Sequence, residues 1–538
     1  MKEYSTYVLD KTQGSMRELI ENAIKKNWAD SAYSDFGTDI HYTYADVAKE
    51  VARLHDFYRA NGIMPGDKVG LCGKNSSNWA VVMISFLTYG CVGVPILADF
   101  HADQVLNIVD HSESKLLFCA QNWYETLKDD IKVPIYSLSS LPTDKATHND
   151  MQASDVNYGR EDGDALALIN YTSGSTGNSK GVMLQYHVLW SNTIFADERF
   201  RAEPHGDLVS LLPAAHMYGY AFEFLYEFCI AKHVHFLSKA PSPSYLLQVF
   251  AEVRPDIVIS VPLIIEKLVS GIILPKMRTP EVQAMLADPA QKDAILAKLS
   301  ETLLGLLGGR VKEVVIGGAS FSKEIEEVLV ALKFPFTVGY GMTECGPIIT
   351  YQHHTQFAPG SCGIAAPRME VKIDSPDPKN IPGEIITRGI NLMVGYYKNP
   401  EATAEAIDKD GWLHTGDLAT MDDDGNVFIR GRKKNLLLGA NGQNIYPEEI
   451  EDAIKSHSVF DEIVVVQRGE KLTALAYVSD DSLQKAGITR EELAGKLDEM
   501  RNAVNEYLPK FANITGFEVR EQEFEKTPKR NIKRYLYL

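Results

Sequence analysis

The stretch Tyr171-Thr-Ser-Gly-Ser-Thr-Gly-Asn-Ser-Lys-Gly181 decides how this chain is read. It follows the apolar run Ala165-Leu-Ala-Leu-Ile169, so a strand-like segment feeds directly into small, hydroxylated and cationic residues. Gly174 and Gly177 let the backbone turn its N–H groups toward one point, Thr172, Ser173, Ser175 and Thr176 add hydroxyl donors, and Lys180 brings a full positive charge. That combination is suited to the phosphates of a nucleotide. It is not a Walker loop, which needs G-x-x-x-x-G-K-[ST]: Lys180 stands three residues after Gly177 and is followed by Gly181, not by a hydroxyl. A flexible Gly/Ser linker is the competing reading of the loop taken alone.

Composition agrees with a large enzyme. At 538 residues the chain exceeds what one hydrophobic core supports, so two or more domains are expected. The formal charge of −18 excludes a nucleic-acid partner, because there is no basic surplus to neutralise a phosphate backbone. Cys72, Cys91, Cys119, Cys229, Cys345 and Cys362 are scattered without a C-x-x-C pair, as reduced thiols in a cytoplasm are. Cys345 and Cys362 bracket His353 and His354, but the spacing matches no zinc pattern, and both thiols read as structural. Met1-Lys-Glu-Tyr-Ser leads into polar residues without an apolar core, so no secretory signal is expected and the location expected is cytoplasmic. The uncharged run from Trp79 to Leu97 is long enough to resemble a transmembrane span. Gly90, Gly93 and Pro95 interrupt it, and it reads better as a buried helix through Tyr89 followed by a buried strand from Val92.

The first part of the chain alternates helix-like and strand-like segments. Thr43 caps a helix with Val47, Val51 and Leu54 on one face, and Val69 to Cys72 and Leu116 to Cys119 read as strands, which is α/β organisation. After Asp417 the pattern changes. Asp424-Gly425 is a hairpin turn between two short apolar runs. Beyond Gly431, a helix with Pro447 in its first turn, strands at Ile463 to Val466 and Leu472 to Val478, and a helix near Glu491 to Tyr507 make a compact α+β unit. The boundary is expected at Gly431 to Lys434. No internal repeat or low-complexity tract is present.

The loop at 171–181 resembles the signature of the AMP-forming adenylating enzymes, the superfamily of acyl-CoA synthetases, adenylation domains and luciferases. Further motifs of that superfamily follow in order: Leu212-Pro-Ala-Ala-His216, Gly317-Gly-Ala319, Gly339-Tyr-Gly-Met-Thr-Glu344, Pro382-Gly-Glu384, Trp412-Leu-His-Thr-Gly-Asp417 and Gly431-Arg-Lys-Lys434. The resemblance implies a large α/β adenylating domain of several subdomains (1–430), a hinge (431–434) and a small mobile α+β domain (435–538). The implied chemistry has two halves. A carboxylate attacks the α-phosphorus of ATP to give an acyl-adenylate and pyrophosphate, and a thiol, usually coenzyme A, then displaces AMP. Because an anion attacks an anion, charge neutralisation and alignment dominate the barrier.

The resemblance also implies roles. Thr172, Ser173, Gly174, Ser175, Thr176, Gly177 and Lys180 would hold the leaving phosphates. Thr172 and Glu344 would hold Mg²⁺, a hard cation that prefers oxygen ligands. Thr343 would contact the α-phosphate, Gly317, Gly318, Ala319 and Tyr340 would form the slot around adenine, and Gly341 and Met342 would belong to the same ATP site. Asp417 would accept both ribose hydroxyls, with Arg432 approaching the same sugar. His216 would lie beside the substrate carboxylate. Lys434 would be the pivot of a rotation that exchanges adenylation for thiolation residues, and Gly439 and Gly442 would line the coenzyme A passage. His233 and His235 match no motif and read as surface or strand residues.

Substrate class rests on two further segments. Arg254-Pro-Asp-Ile-Val-Ile-Ser-Val-Pro-Leu-Ile-Ile-Glu-Lys267, and Lys526-Thr-Pro528 with Ile532-Lys-Arg534, resemble long-chain fatty acyl-CoA synthetases, so a medium- or long-chain fatty acid is expected. Met217-Tyr-Gly-Tyr-Ala-Phe-Glu-Phe-Leu225 could line the acyl site. The C-terminal motif departs from the family at Asn531, where a lysine normally bridges carboxylate and α-phosphate. Losing one such donor costs about 3–4 kcal/mol. If 529–533 is extended, Lys529 and Lys533 point to the same side as Asn531 and are the candidate substitutes. Two alternatives follow: a nucleotide- and acyl-binding homologue that adenylates weakly or not at all, and an enzyme that transfers the acyl group to a carrier protein. A transient membrane association and any oligomeric state are compatible with the sequence; a transmembrane segment is not expected.

Overall fold

The computed structural model describes residues 14–172, 179–200, 202–438, 444–456, 458–469, 471–526 and 532–538, residue 456 by its backbone alone. The sheet that carries the loop has seven strands, ordered Gly395–Tyr396, Lys180–Gln185, Leu166–Thr172, Val92–Ile96, Lys68–Cys72, Leu117–Cys119 and Ile135–Ser137. Its middle is parallel, with Val92–Ile96 lying between Lys68–Cys72 and Leu166–Thr172. Parallel strands must be covered on both faces, which explains why Val92–Ile96 is buried throughout. Leu166–Thr172 and Lys180–Gln185 pair antiparallel with Thr172 opposite Lys180, so the two strands meet the loop at one end of the sheet.

The helices form where the sequence marks them. Thr43 caps Tyr44–Ala60 through a capping box with Asp46, and Val47, Val51 and Leu54 on its inner face are fully buried. The uncharged run is divided into the helix Ser77–Tyr89 and the strand Val92–Ile96. Between them Gly90 takes φ 100°, a left-handed conformation that ends the helix. No helix among the described residues is long and apolar enough to cross a membrane.

Two further sheets complete the α/β part. One is ordered His41–Thr43, Ser31–Phe36, His233–Leu237, Asp207–Ser210; the other, all parallel, is Ile257–Ser260, Glu313–Ile316, Phe336–Val338. The run from Leu208 to Leu212 stops being a strand at Ser210, two residues earlier than its hydropathy suggests. The amides of Leu211 and Leu212 donate instead to the buried Glu223 carboxylate, at 3.0 and 2.8 Å. Glu223 lies in a continuous helical segment, Met217 to Cys229, whose middle turn Tyr220–Leu225 is π-helical.

An antiparallel sheet, Met369–Asp374, Gly383–Gly389, Leu413–Met421, Val427–Arg432, follows, its last hairpin turning at Gly425 with φ 84°. The chain then enters a unit with its own core. Ile450 and Ile454 of the helix Pro447–Ser456 pack on Val465, Leu472 and Ala474 of the sheet Glu462–Arg468, Lys471–Tyr477, Ile514–Arg520, beside Val504 of Arg490–Tyr507. The α+β character read from the sequence is therefore observed. Helix Pro447–Ser456 also contacts the strand Val427–Arg432 and the helix Lys323–Ala331 of the larger part.

Candidate active site

Two clusters of side chains and a glycine-lined cleft carry the motif residues. The first stands at the loop. Glu344 sits in a tight turn, Thr343–Cys345, and is 9% exposed. Its Oε1 accepts the Tyr396 hydroxyl at 2.8 Å, and the Lys180 ammonium stands 4.8 Å from the centre of the Tyr396 ring. These residues meet because Gly395–Tyr396 pairs with Lys180–Gln185 and the Met393 amide donates to the Glu344 carbonyl at 2.8 Å. Burial, and next the Glu344 carboxylate, push the Tyr396 phenol well above its ordinary pKa, so it remains a donor. Lys180 and Glu344 thus meet through Tyr396, and Thr172 stands opposite Lys180 in the strand pair. Ser173, Gly174, Ser175, Thr176 and Gly177 lie outside the described residues.

The second cluster surrounds Asp417, which is 6% exposed in the strand Leu413–Met421 and is no turn residue. Tyr340 donates to its Oδ2 at 2.7 Å, and Arg432, its register partner on the neighbouring strand, places Nε 2.7 Å from its Oδ1. Both oxygens are thus already engaged, and an incoming pair of hydroxyls must use the remaining lone pairs. Burial raises the Asp417 carboxyl above its ordinary pKa, against the lowering effect of Arg432 and Tyr340. Glu384 braces the same strand, accepting the Gly416 amide at 3.0 Å and facing His414 at 3.1 Å and Lys433 at 2.9 Å.

Gly317, Gly318, Gly339 and Gly341 line the cleft together with Tyr340 of the second cluster. Gly341 has to be glycine, since a Cβ there would lie 2.1 Å from the Pro347 carbonyl oxygen. Ala319 follows on the exposed side of Gly318, and the Met342 amide donates to Pro347 at 2.9 Å. Phe200, Tyr218 and Phe222 line the same cleft, Tyr218 lying against Gly317 with its hydroxyl tied to the Val315 carbonyl at 3.1 Å.

His216 precedes the helical segment, half-buried, in a loop clamped by two asparagines that sequence reasoning missed. Asn170 donates to the Ala215 carbonyl at 2.9 Å, and Asn75 spans Ala214 N–H and Leu212 carbonyl at 2.7 and 2.6 Å. Lys434 is exposed in a short turn, Lys433–Asn435, between the two cores. Lys533 does not join either cluster: its ammonium pairs with Glu525 at 3.4 Å, within the C-terminal unit. The neighbouring Arg534 is committed to Glu451 at 2.6 Å. Lys529, Asn531, Gly439 and Gly442 lie outside the described residues.

This fold and arrangement define an AMP-forming adenylating enzyme. The family model for AMP-binding enzymes matches residues 20–397, and that for the AMP-binding enzyme C-terminal domain matches residues 434–538, so the chain belongs to this family. Its activity class is that of the AMP-forming acid–CoA ligases, which use ATP, Mg²⁺ and coenzyme A. The chain is 29% identical over 507 residues to the peroxisomal long chain acyl-CoA synthetase 6 of Arabidopsis thaliana, covering 86% of this chain and 72% of the relative. It is 29% identical over 458 residues to a 4-coumarate–CoA ligase of Vanilla planifolia, covering 80% and 77%. Among solved structures, the anthranilate CoA ligase AuaEII in complex with anthranoyl-AMP superposes with a TM-score of 0.79 at 17% identity, covering 97% of this chain and 96% of that one.

Proposed function

We propose that this enzyme activates a medium- or long-chain fatty acid to an acyl-adenylate and then to acyl-CoA. The observation that carries the reading is the set of two clusters and one cleft, a phosphate-side group of Thr172, Lys180 and Glu344 and a sugar-side group of Asp417, Tyr340 and Arg432. In this reading adenine lies along the glycines and the acid's tail packs against Phe200, Tyr218 and Phe222, which line the same cleft. The reacting carboxylate lies by His216, held in line by the loop that Asn75 and Asn170 clamp.

Mg²⁺ fits the donors at the loop end. Glu344 is a buried carboxylate with one oxygen fixed by Tyr396, and Thr172 adds a hydroxyl, an all-oxygen set suited to a hard cation. When bound, the ion neutralises phosphate charge. Tyr396→Phe is expected to lower adenylation roughly tenfold and to raise the Mg²⁺ concentration needed, since a hydrogen bond to a charged group contributes about 1.5–3 kcal/mol. Pyrophosphate exchange measured across a Mg²⁺ titration checks this; an unchanged titration midpoint counts against Glu344 as a metal ligand.

For the second half-reaction we assign residues 431–434 as the hinge between the domains 1–430 and 435–538, Lys434 as its pivot, and Gly439 and Gly442 as part of the thiol passage. The six cysteines are all unpaired, which supports a reducing, cytoplasmic location. The reading is tested by ATP–pyrophosphate exchange with fatty acids of graded length and with hydroxycinnamic and benzoic acids, with and without coenzyme A. Exchange driven best by medium or long fatty acids is expected. Exchange with aryl acids alone would replace the substrate class. Exchange with no acid would favour an acyl-binding homologue, and thioester formation only on a carrier protein would replace the acceptor.

A further inference from the structure

We propose that Glu313, His353 and His354 form a binding site for a divalent transition-metal ion, Zn²⁺ being the best chemical match. Glu313 opens the strand Glu313–Ile316 and its side chain is 2% exposed. His353 and His354 follow the strand Ile348–Tyr351 and reach the same carboxylate. His353 Nε2 is 3.6 Å from Glu313 Oε2, and His354 Nδ1 is 3.5 Å from Glu313 Oε1.

Those separations are too long for hydrogen bonds. Around a tetrahedral Zn²⁺ with bonds of about 2.0–2.1 Å, neighbouring ligand atoms stand about 3.3 Å apart. Here each imidazole faces a different Glu313 oxygen and one donor atom from each residue lies within 4.8 Å of the others, so a small inward movement completes the set. Among the described residues, Glu313 Oε2 and His354 Nδ1 are moreover buried without a hydrogen-bond partner, a costly state that a shared cation removes. Glu313 Oε1, in contrast, accepts the Tyr351 hydroxyl at 2.7 Å and faces the His354 amide at 3.4 Å. Thr355 Oγ1, 2.9 Å from His353 Nδ1, can hold a proton there and turn the Nε2 lone pair toward the carboxylate. The Thr355 amide donates to the same nitrogen at 3.3 Å, a longer bond that binding of metal through Nε2 would give up in favour of the hydroxyl contact. Two imidazoles and a carboxylate are a donor set that zinc favours over Mg²⁺.

A second cluster of the same composition supplies the contrast. Asp207, His233 and His235 also bring their donor atoms together, but His235 Nε2 lies 2.8 Å from Asp207 Oδ1 and His233 Nε2 lies 2.7 Å from Ser34 Oγ. Hydrogen bonds satisfy that cluster, and it calls for no ion. The proposed site borders the adenylating site in sequence, Glu313 preceding Gly317 and His353 following Glu344, but it stands apart from the assignment of substrate. Its role is to tie the strand that leads into Gly317 to the segment after Tyr351.

The test uses the full chain, stripped of metal, dialysed against Zn²⁺ and analysed for bound metal, with Co²⁺ absorption as a report of geometry. About one ion per chain is expected, with a tetrahedral Co²⁺ spectrum. Glu313→Gln and His354→Ala should each weaken binding at least roughly tenfold, while His235→Ala retains it. Absence of uptake by the wild type, wild-type affinity in His354→Ala, or loss of the ion in His235→Ala would each overturn the site. Should Glu313→Gln fail to fold, the partly exposed His354 and the Co²⁺ spectrum of the wild type still decide.

Discussion

Asn531→Lys is expected to accelerate adenylate formation by roughly 10²–10³-fold, the size of effect that one preorganised donor has on developing charge. During adenylation, negative charge accumulates between the carboxylate and the α-phosphorus, where the family's C-terminal lysine would stand. Asparagine there can donate a hydrogen bond but brings no charge. The cations nearby are occupied, Lys533 with Glu525 and Arg534 with Glu451, so neither is a ready replacement in this conformation. Single-turnover pyrophosphate release measures the effect, and thioester formation should change little. A different pattern identifies a substitute: Asn531→Lys silent, with alanine at Lys529 or Lys533 slowing exchange. If all three substitutions leave adenylation unchanged, the C-terminal segment supplies no catalytic charge.

Lys434→Pro is expected to separate the two half-reactions, slowing one by roughly 10²-fold while the other stays within a few-fold, because a small misplacement of reacting groups costs that much. Proline fixes φ near −65°, and the turn Lys433–Asn435 joins two units with separate cores, so a change of backbone angle there moves one against the other. The Lys434 side chain is exposed, so Lys434→Ala, which keeps the backbone free, should stay near wild type in both halves. Equal losses in adenylate and thioester formation would mean that the turn is no pivot.

Much of this site was legible in the sequence because its backbone demands leave local marks. Glycines where the chain bends or another backbone approaches, as at Gly90 and Gly341, a capping pair at Thr43 and Asp46, and apolar runs for buried strands are written in adjacent residues. The side-chain partnerships are not. Tyr396 meets Glu344 across 52 positions and Tyr340 meets Asp417 across 77, separations set by how strands pair and not by any period. Glu223 is a lone acid in the apolar stretch Met217 to Leu225, and its use as the acceptor that ends a strand depends on which amides face it, which no local pattern shows. His353 and His354 drew notice beside Cys345 and Cys362, but the group that reaches them is Glu313, forty residues upstream in a different sheet.

The central claim is that a carboxylate oxygen attacks the α-phosphorus of ATP. Supplying the preferred acid labelled with ¹⁸O in both carboxyl oxygens, with ATP and coenzyme A, tests it by mass spectrometry of the nucleotide product. The carboxylate oxygen becomes the bridge of the adenylate, and thiol attack at the carbonyl carbon breaks the C–O bond, so that oxygen leaves with AMP. The account predicts one ¹⁸O in each AMP and none in pyrophosphate. ADP with labelled inorganic phosphate, or AMP without label, would contradict it.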